Sequence, residues 1–130
     1  MIKIACCCIS FMLVIVSINA QQKTKPIASG VLLENGVKLH DEKKYKDAIE
    51  EFKKINRNDT NYSTALHELS LSYYSDSNFL ESKKAAETGL KYFPEDKNKW
   101  YNLIANAEDE LGNFDAAVAN YDKIIANDEN

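Results

Sequence analysis

GVKLHDEKKYKDAIEEFKKI at residues 36–55, SLSYYSDSNFLESKKAAETGL at 70–90 and ANAEDELGNFDAAVANYDKII at 105–125 carry one pattern three times over. Gly36, Ser70 and Ala105 head the stretches, spaced 34 and then 35 residues apart. An aromatic residue follows at Tyr45, Phe79 and Phe114, and a small one at Ala48, Ser82 and Ala117. Phe52, Ala86 and Tyr121 come next, then Ile55, Gly89 and Ile124, at the same interval. The one extra residue falls in the polar connector Pro94-Glu95-Asp96-Lys97-Asn98, where an insertion disturbs least. Self-similarity at this period marks a row of stacked supersecondary units rather than one globular core.

Each unit reads as two amphipathic helices. In the first, Leu32, Gly36 and Leu39 share a face; after a polar turn, Tyr45, Ala48, Ile49, Phe52 and Ile55 share another. The second repeats this with Leu66, Leu69, Ser70 and Tyr73, then Phe79, Ser82, Ala86 and Leu90. The third uses Trp100 or Tyr101 with Ile104, Ala105 and Leu111, then Phe114, Ala117, Val118, Tyr121 and Ile125. Asp76-Ser77-Asn78 and Gly112-Asn113 supply turns within units, and residues 56–61 and Phe93-Pro94-Glu95-Asp96 break the chain between them. The spacing predicts six helices, over about 28–41, 45–56, 61–75, 79–92, 97–111 and 114–127. Small residues at fixed places let paired helices approach closely, and the aromatics fill the gaps between pairs.

The first twenty residues, MIKIACCCISFMLVIVSINA, are of a different kind. Lys3 precedes an apolar run from Ile4 to about Ile18, and Ser17, Asn19 and Ala20 form a small, polar exit. This is the layout of a secretory signal peptide, with cleavage expected after Ala20. An uncleaved membrane anchor is the competing reading, but the run falls short of the ~20 residues needed to span. A lipoprotein signal does not fit, because Cys6, Cys7 and Cys8 lie at the start of the apolar run. Cleavage leaves 110 residues, moves the net charge from −4 to −5 through loss of Lys3, and removes all three cysteines. A linker at 21–27 then leads to a repeat domain at 28–130, with units at about 28–60, 61–96 and 97–130. The expected location is exported, periplasmic or secreted, with no membrane insertion after cleavage. No disulfide can help there, so packing alone must hold the domain.

Composition narrows the function. Sixteen Lys+Arg against 20 Asp+Glu, with a pI near 5.2, argue against a nucleic-acid binder, which needs a basic stripe. Four Gly and 2 Pro argue against a turn-rich β-sandwich.

The pattern resembles the tetratricopeptide repeat, a 34-residue helix–turn–helix with a W-x2-L-G-x2-Y…A-x3-F…P signature. Ala48 and Phe52 match its A-x3-F half, as do Ala117 and Tyr121; the second unit offers Ser82 and Ala86 but keeps Leu66, Leu69, Tyr73 and Pro94. Trp100-Tyr101-Asn102-Leu103 is similar to the start of a consensus unit, shifted by one residue against Gly112 and Ala117. The resemblance implies an all-α fold: a right-handed α-solenoid of three helix-turn-helix repeats, about six helices in all, whose first helices line a concave groove for a protein or peptide segment. The groove residues it implies are Leu33, Val37, His40 and Asp41, then His67, Glu68, Leu71 and Tyr74, then Asn102, Asn106, Asp109 and Glu110. Leu33 and Val37 stand where one subclass has the Lys and Asn that clamp a partner's terminal carboxylate, so that clamp is absent. An apolar-floored, acidic-ended groove suits a basic or amphipathic segment.

Chemistry finds little support. His40 and His67 lie on the first helices of neighbouring units, where with Asp41 or Glu68 they offer two ligands at unconstrained spacing; groove-lining histidine is the better reading. No pair of carboxylates is set in an apolar pocket, and no phosphate loop, nucleophile elbow or H-E-x-x-H motif occurs. The sequons at Asn58-Asp59-Thr60 and Asn61-Tyr62-Ser63 are of a kind that Asn-rich turns produce by chance. The lysines at 43, 44, 46, 53 and 54 alternate with acids as a solvated face. No catalytic, metal or cofactor residues are expected, and the chain reads as a non-catalytic scaffold. Its sequence stops at Asp128-Glu129-Asn130, which leaves Val118, Ile124 and Ile125 partly open. The alternative reading is therefore a structural subunit, or the N-terminal part of a larger envelope assembly, docking through that last unit by further repeats or self-association.

Overall fold

Amphipathic periodicity becomes six helices among the residues described, 27–128, in a computed structural model. They are α1 (Ser29–Asp41), α2 (Tyr45–Lys53), α3 (Tyr62–Ser75), α4 (Phe79–Tyr92), α5 (Lys97–Glu110) and α6 (Phe114–Asp128). No strand occurs among the described residues, so the fold is all-α. The expected signal peptide and its Ala20 cleavage point lie outside the described residues. Helix bounds agree with the periodicity to within a residue, except that α2, expected to reach about 56, stops at Lys53. Its end tightens into 3-10-type bonds, Lys54 N–H to Glu51 O at 3.2 Å and Ile55 N–H to Phe52 O at 3.1 Å. Ile55 is thereby delivered to a cluster with Leu32 and Ala65. A 3-10 turn, Pro94–Asp96, leads straight into α5, and Pro94 sits at its start, where a missing N–H costs nothing.

Each unit reverses direction through the same backbone device. Lys43, Ser77 and Gly112 take left-handed φ angles of 59°, 59° and 79°. In the first turn Lys43 N–H donates to His40 O at 2.8 Å and Lys44 N–H to Leu39 O at 2.9 Å. Ser77 and Asn78 repeat this onto Tyr74 and Tyr73, at 2.9 and 2.8 Å, and Gly112 and Asn113 onto Asp109 and Glu108, both at 2.9 Å. These are Schellman closures, which satisfy the carbonyls a helix leaves open at its end. The repeat seen in side chains is thus a repeat in backbone geometry, at the same intervals of 34 and 35. Only Gly112 occupies the left-handed region without steric cost.

Within each unit the small residues bring the helices together. The Phe52 ring occupies the space a Cβ on Gly36 would need, and Ala48 is buried beside them. Ser70 and Ser82 meet in the second unit: the Ser70 hydroxyl donates to Ser82 O at 3.0 Å, and the Ser82 hydroxyl to Ser70 O at 2.8 Å. Ala105 and Ala117 fill the corresponding places in the third, both buried.

Between units the contacting sizes trade places. Bulky Ile55 of the first unit packs on small Ala65 of the second. At the next joint Gly89 is the small partner, and the Trp100 ring lies 2.5–2.6 Å from where its Cβ would stand. Trp100 is therefore the residue that faces the preceding unit, 0% exposed, with its indole N–H donating to Phe93 O at 3.0 Å. Leu66, Ala86, Leu103 and Ile104 complete that core, while Tyr101 stays half-buried. Every helix packs on the next in order, and the first helices also touch one another, α1 on α3 and α3 on α5.

The third unit is the more open one along α6, as its uncovered end leads one to expect, and Phe114 is open with it. Of its expected apolar face on α6, Phe114, Ala117, Val118, Tyr121 and Ile125, only Ala117 is buried. The face that α3 covers on α2, and α5 on α4, meets no helix here among the described residues.

The equivalent turns give opposite expectations for one position. Ser77→Gly and Lys43→Gly should each stabilise the fold by about 0.5–1 kcal/mol, whereas Gly112→Ala should cost about 1 kcal/mol, measured by urea unfolding. A loss of stability in either glycine variant would contradict the strain assigned to these turns.

Candidate functional site

The first helices carry the residues expected to line a groove, and their hydrogen bonds show what holds each in place. On α1, Leu33 packs against the Leu32–Ile55–Ala65 cluster, Val37 is half-buried and Asp41 is exposed. His40 Nδ1 lies 2.9 Å from Ser72 Oγ on α3, and its ring meets Tyr45 edge-on at 5.2 Å. On α3, His67 Nδ1 lies 3.1 Å from Glu68 Oε1, with the ring 6.4 Å from Trp100. Leu71 packs on the Trp100 core. Tyr74 donates its phenol to Glu110 Oε1 on α5 at 2.9 Å, its ring edge-on to Phe79 at 5.3 Å. On α5, Asn102 and Asp109 are exposed, and Asn106 Oδ1 accepts the Tyr121 phenol at 2.7 Å.

The expected residues therefore divide. His40 and Tyr74, 34 residues apart, each reach from one first helix to the next. They tie the first helices to one another. The hydrogen bond to Glu110 favours the neutral phenol and raises the Tyr74 pKa above the ordinary tyrosine value. Leu33 and Leu71 are anchored in core clusters, whereas Val37, His67, Asn102 and Asn106 keep solvent-facing area. The two histidines are bound to different partners, and among the described residues no group of three His, Cys, Asp or Glu gathers to hold a metal.

A polar cluster around buried Glu108 lies outside the expected site residues. Glu108, 8% exposed, accepts from Asn113 Nδ2 at 2.7 Å and from Lys83 Nζ at 3.0 Å, joining α4, α5 and the last turn. The amide of Asn113 lowers the Glu108 pKa; burial opposes that shift, and Lys83 adds to it. The same contact raises the Lys83 pKa. The signal was available by alignment. Lys83 stands where the other units have Ile49 and Val118, and Glu108 where they have Leu39 and Tyr73. Each breaks an apolar column, and each is the other's partner. A depression of about 490 Å³ beside the cluster is lined by Gly112, Asn113, Phe114, Asp115 and Ala116. None of the expected groove residues lines it.

The other notable surface is the outer side of α6. Phe114 is 64% exposed, Val118 56% and Ile125 58%, with Tyr121 and Ile124 half-buried between them and Leu111 exposed alongside. As expected, Val118 and Ile125 are open and Ile124 partly so; Phe114 joins them, although Tyr45 and Phe79 are half-buried. Its counterparts Tyr45 and Phe79 each meet a ring on their own unit's first helix, His40 and Tyr74, where the third unit has Asp109. No helix among the described residues is long and apolar enough to cross a membrane. No protein-family model matches the chain, and no curated protein matches it.

Glu108 carries a pH dependence whose sign follows from its lowered pKa. Its stabilisation is complete above the ordinary carboxylate pKa and is lost as pH falls through the lower, folded-state value. Glu108→Gln should cost about 1–3 kcal/mol near neutral pH, with the deficit shrinking in acid. Urea unfolding at pH 7 and pH 3 checks this; an equal deficit at both would contradict it.

Proposed function

We propose that the chain is a non-catalytic exported adaptor of the tetratricopeptide type, three helical hairpins stacked as a right-handed α-solenoid. In this reading α1, α3 and α5 form the wall that receives a protein or peptide segment. The observation that supports it most is the recurrence, at intervals of 34 and 35, of left-handed turns at Lys43, Ser77 and Gly112. The Ile55–Ala65 and Gly89–Trp100 joints add support for units that stack by one rule. Solvent-facing Val37, His67, Asn102 and Asn106 then supply recognition, with Asp109 and Glu110 giving an acidic end.

A second reading draws on the open face of α6. An uncovered row of Phe114, Val118 and Ile125 suits a subunit that docks end-on into a larger assembly. The two readings use different helices and separate by mutation.

In a fluorescence-anisotropy titration, an extended Lys-rich peptide should bind the groove more tightly than an Asp-rich one. Tyr74→Ala with Asn102→Ala should abolish that binding, and Val118→Glu with Ile125→Glu should leave it intact. Equal affinity for both peptides would end the groove reading. Export has its own check. Protein recovered from outside the cytoplasm should begin at Gln21 on N-terminal sequencing, and an intact Met1 terminus would point to an uncleaved anchor.

A further inference from the structure

The uncovered face of α6 has a more definite shape than an apolar patch, and naming its occupant rests on the reading in which the chain docks end-on through this helix. Phe114, Val118, Tyr121 and Ile125 succeed one another at steps of four, three and four residues, the spacing of a helix-pairing seam. Three of the four are exposed and Tyr121 is half-buried. One flank of the seam, at Ala117 and Ile124, is buried or half-buried against the protein's own helices. The other flank holds Asp115 and Asp122, one heptad apart, both exposed and neither in an ion pair among the described residues. Lys123 does not neutralise them: its ammonium sits 5.0 Å from the centre of the Tyr101 ring and bonds Asn120 at 3.2 Å. The accessible border of the seam is therefore acidic.

That border decides between occupants. A second copy pairing antiparallel through this face would set Asp115 and Asp122 against the same two residues of its mate. Like charges at the flanks of a helix pair oppose association. We propose that α6 receives an amphipathic α-helix of another protein, whose apolar seam is bordered by Lys or Arg. The apolar row supplies contact area, and the two aspartates select the partner and its register.

The test uses the full chain and two synthetic amphipathic helices as long as α6. They share one Leu seam, which is bordered by Lys in one peptide and by Glu in the other. Anisotropy titrations at low salt should show the Lys-bordered helix binding at least about ten-fold more tightly, a preference that falls as salt rises. Asp115→Lys with Asp122→Lys should reverse the order of the two peptides. Val118→Glu with Ile125→Glu, both on the surface, should remove binding of either, with helix content checked by circular dichroism. Tyr74→Ala with Asn102→Ala should leave it unchanged. Equal affinity for the two helices, or an order that survives the aspartate reversal, would overturn the basic partner while leaving α6 as a dock. Binding that survives the Val118 and Ile125 changes, or no binding by either helix, would overturn the dock as well. Dimerisation in sedimentation that Val118→Glu abolishes would overturn the proposal in favour of a second copy.

Discussion

Close approach of helix backbones is the constraint on which the rest depends. Where Gly36 meets the Phe52 ring and Gly89 meets Trp100, a single Cβ would collide with an aromatic side chain. Neither ring has an easy retreat. Phe52 is buried among its neighbours, and Trp100 is fixed by its indole hydrogen bond to Phe93. The serine pair at Ser70 and Ser82 achieves the same approach differently. Each hydroxyl answers the other helix's carbonyl, so that two polar side chains are buried without an orphaned group.

Much of this was legible in the sequence because period and size survive translation into structure. The columns Gly36/Ser70/Ala105 and Ala48/Ser82/Ala117 became the contact lines between paired helices, and the helix bounds followed from amphipathic spacing. What escaped reading depended on reciprocity between columns. Lys83 and Glu108 look like two unrelated faults in an apolar pattern until the fold sets them 3.0 Å apart. Phe114 failed in the opposite sense. It fits its column, but burial needs a neighbour, and periodicity within a chain does not reveal whether one is present.

The residues expected to bind proved partly structural, for a physical reason. Where α1 meets α3 and α3 meets α5, long polar side chains find each other before they find a ligand. His40 with Ser72 and Tyr74 with Glu110 are bonds of this kind. Residues shorter than these or set off their line, such as Asn102, stay open to solvent.

The nearest-neighbour order of the helix contacts also bears on how the molecule folds. With each helix packed mainly on the one before and after it, few contacts join distant parts of the chain, and loop closure imposes little delay. The Gly89–Trp100 joint is built on a wholly buried indole. Opening should therefore begin at the free side of α6 and stop at Trp100, leaving the front of the chain protected from exchange while its end breathes.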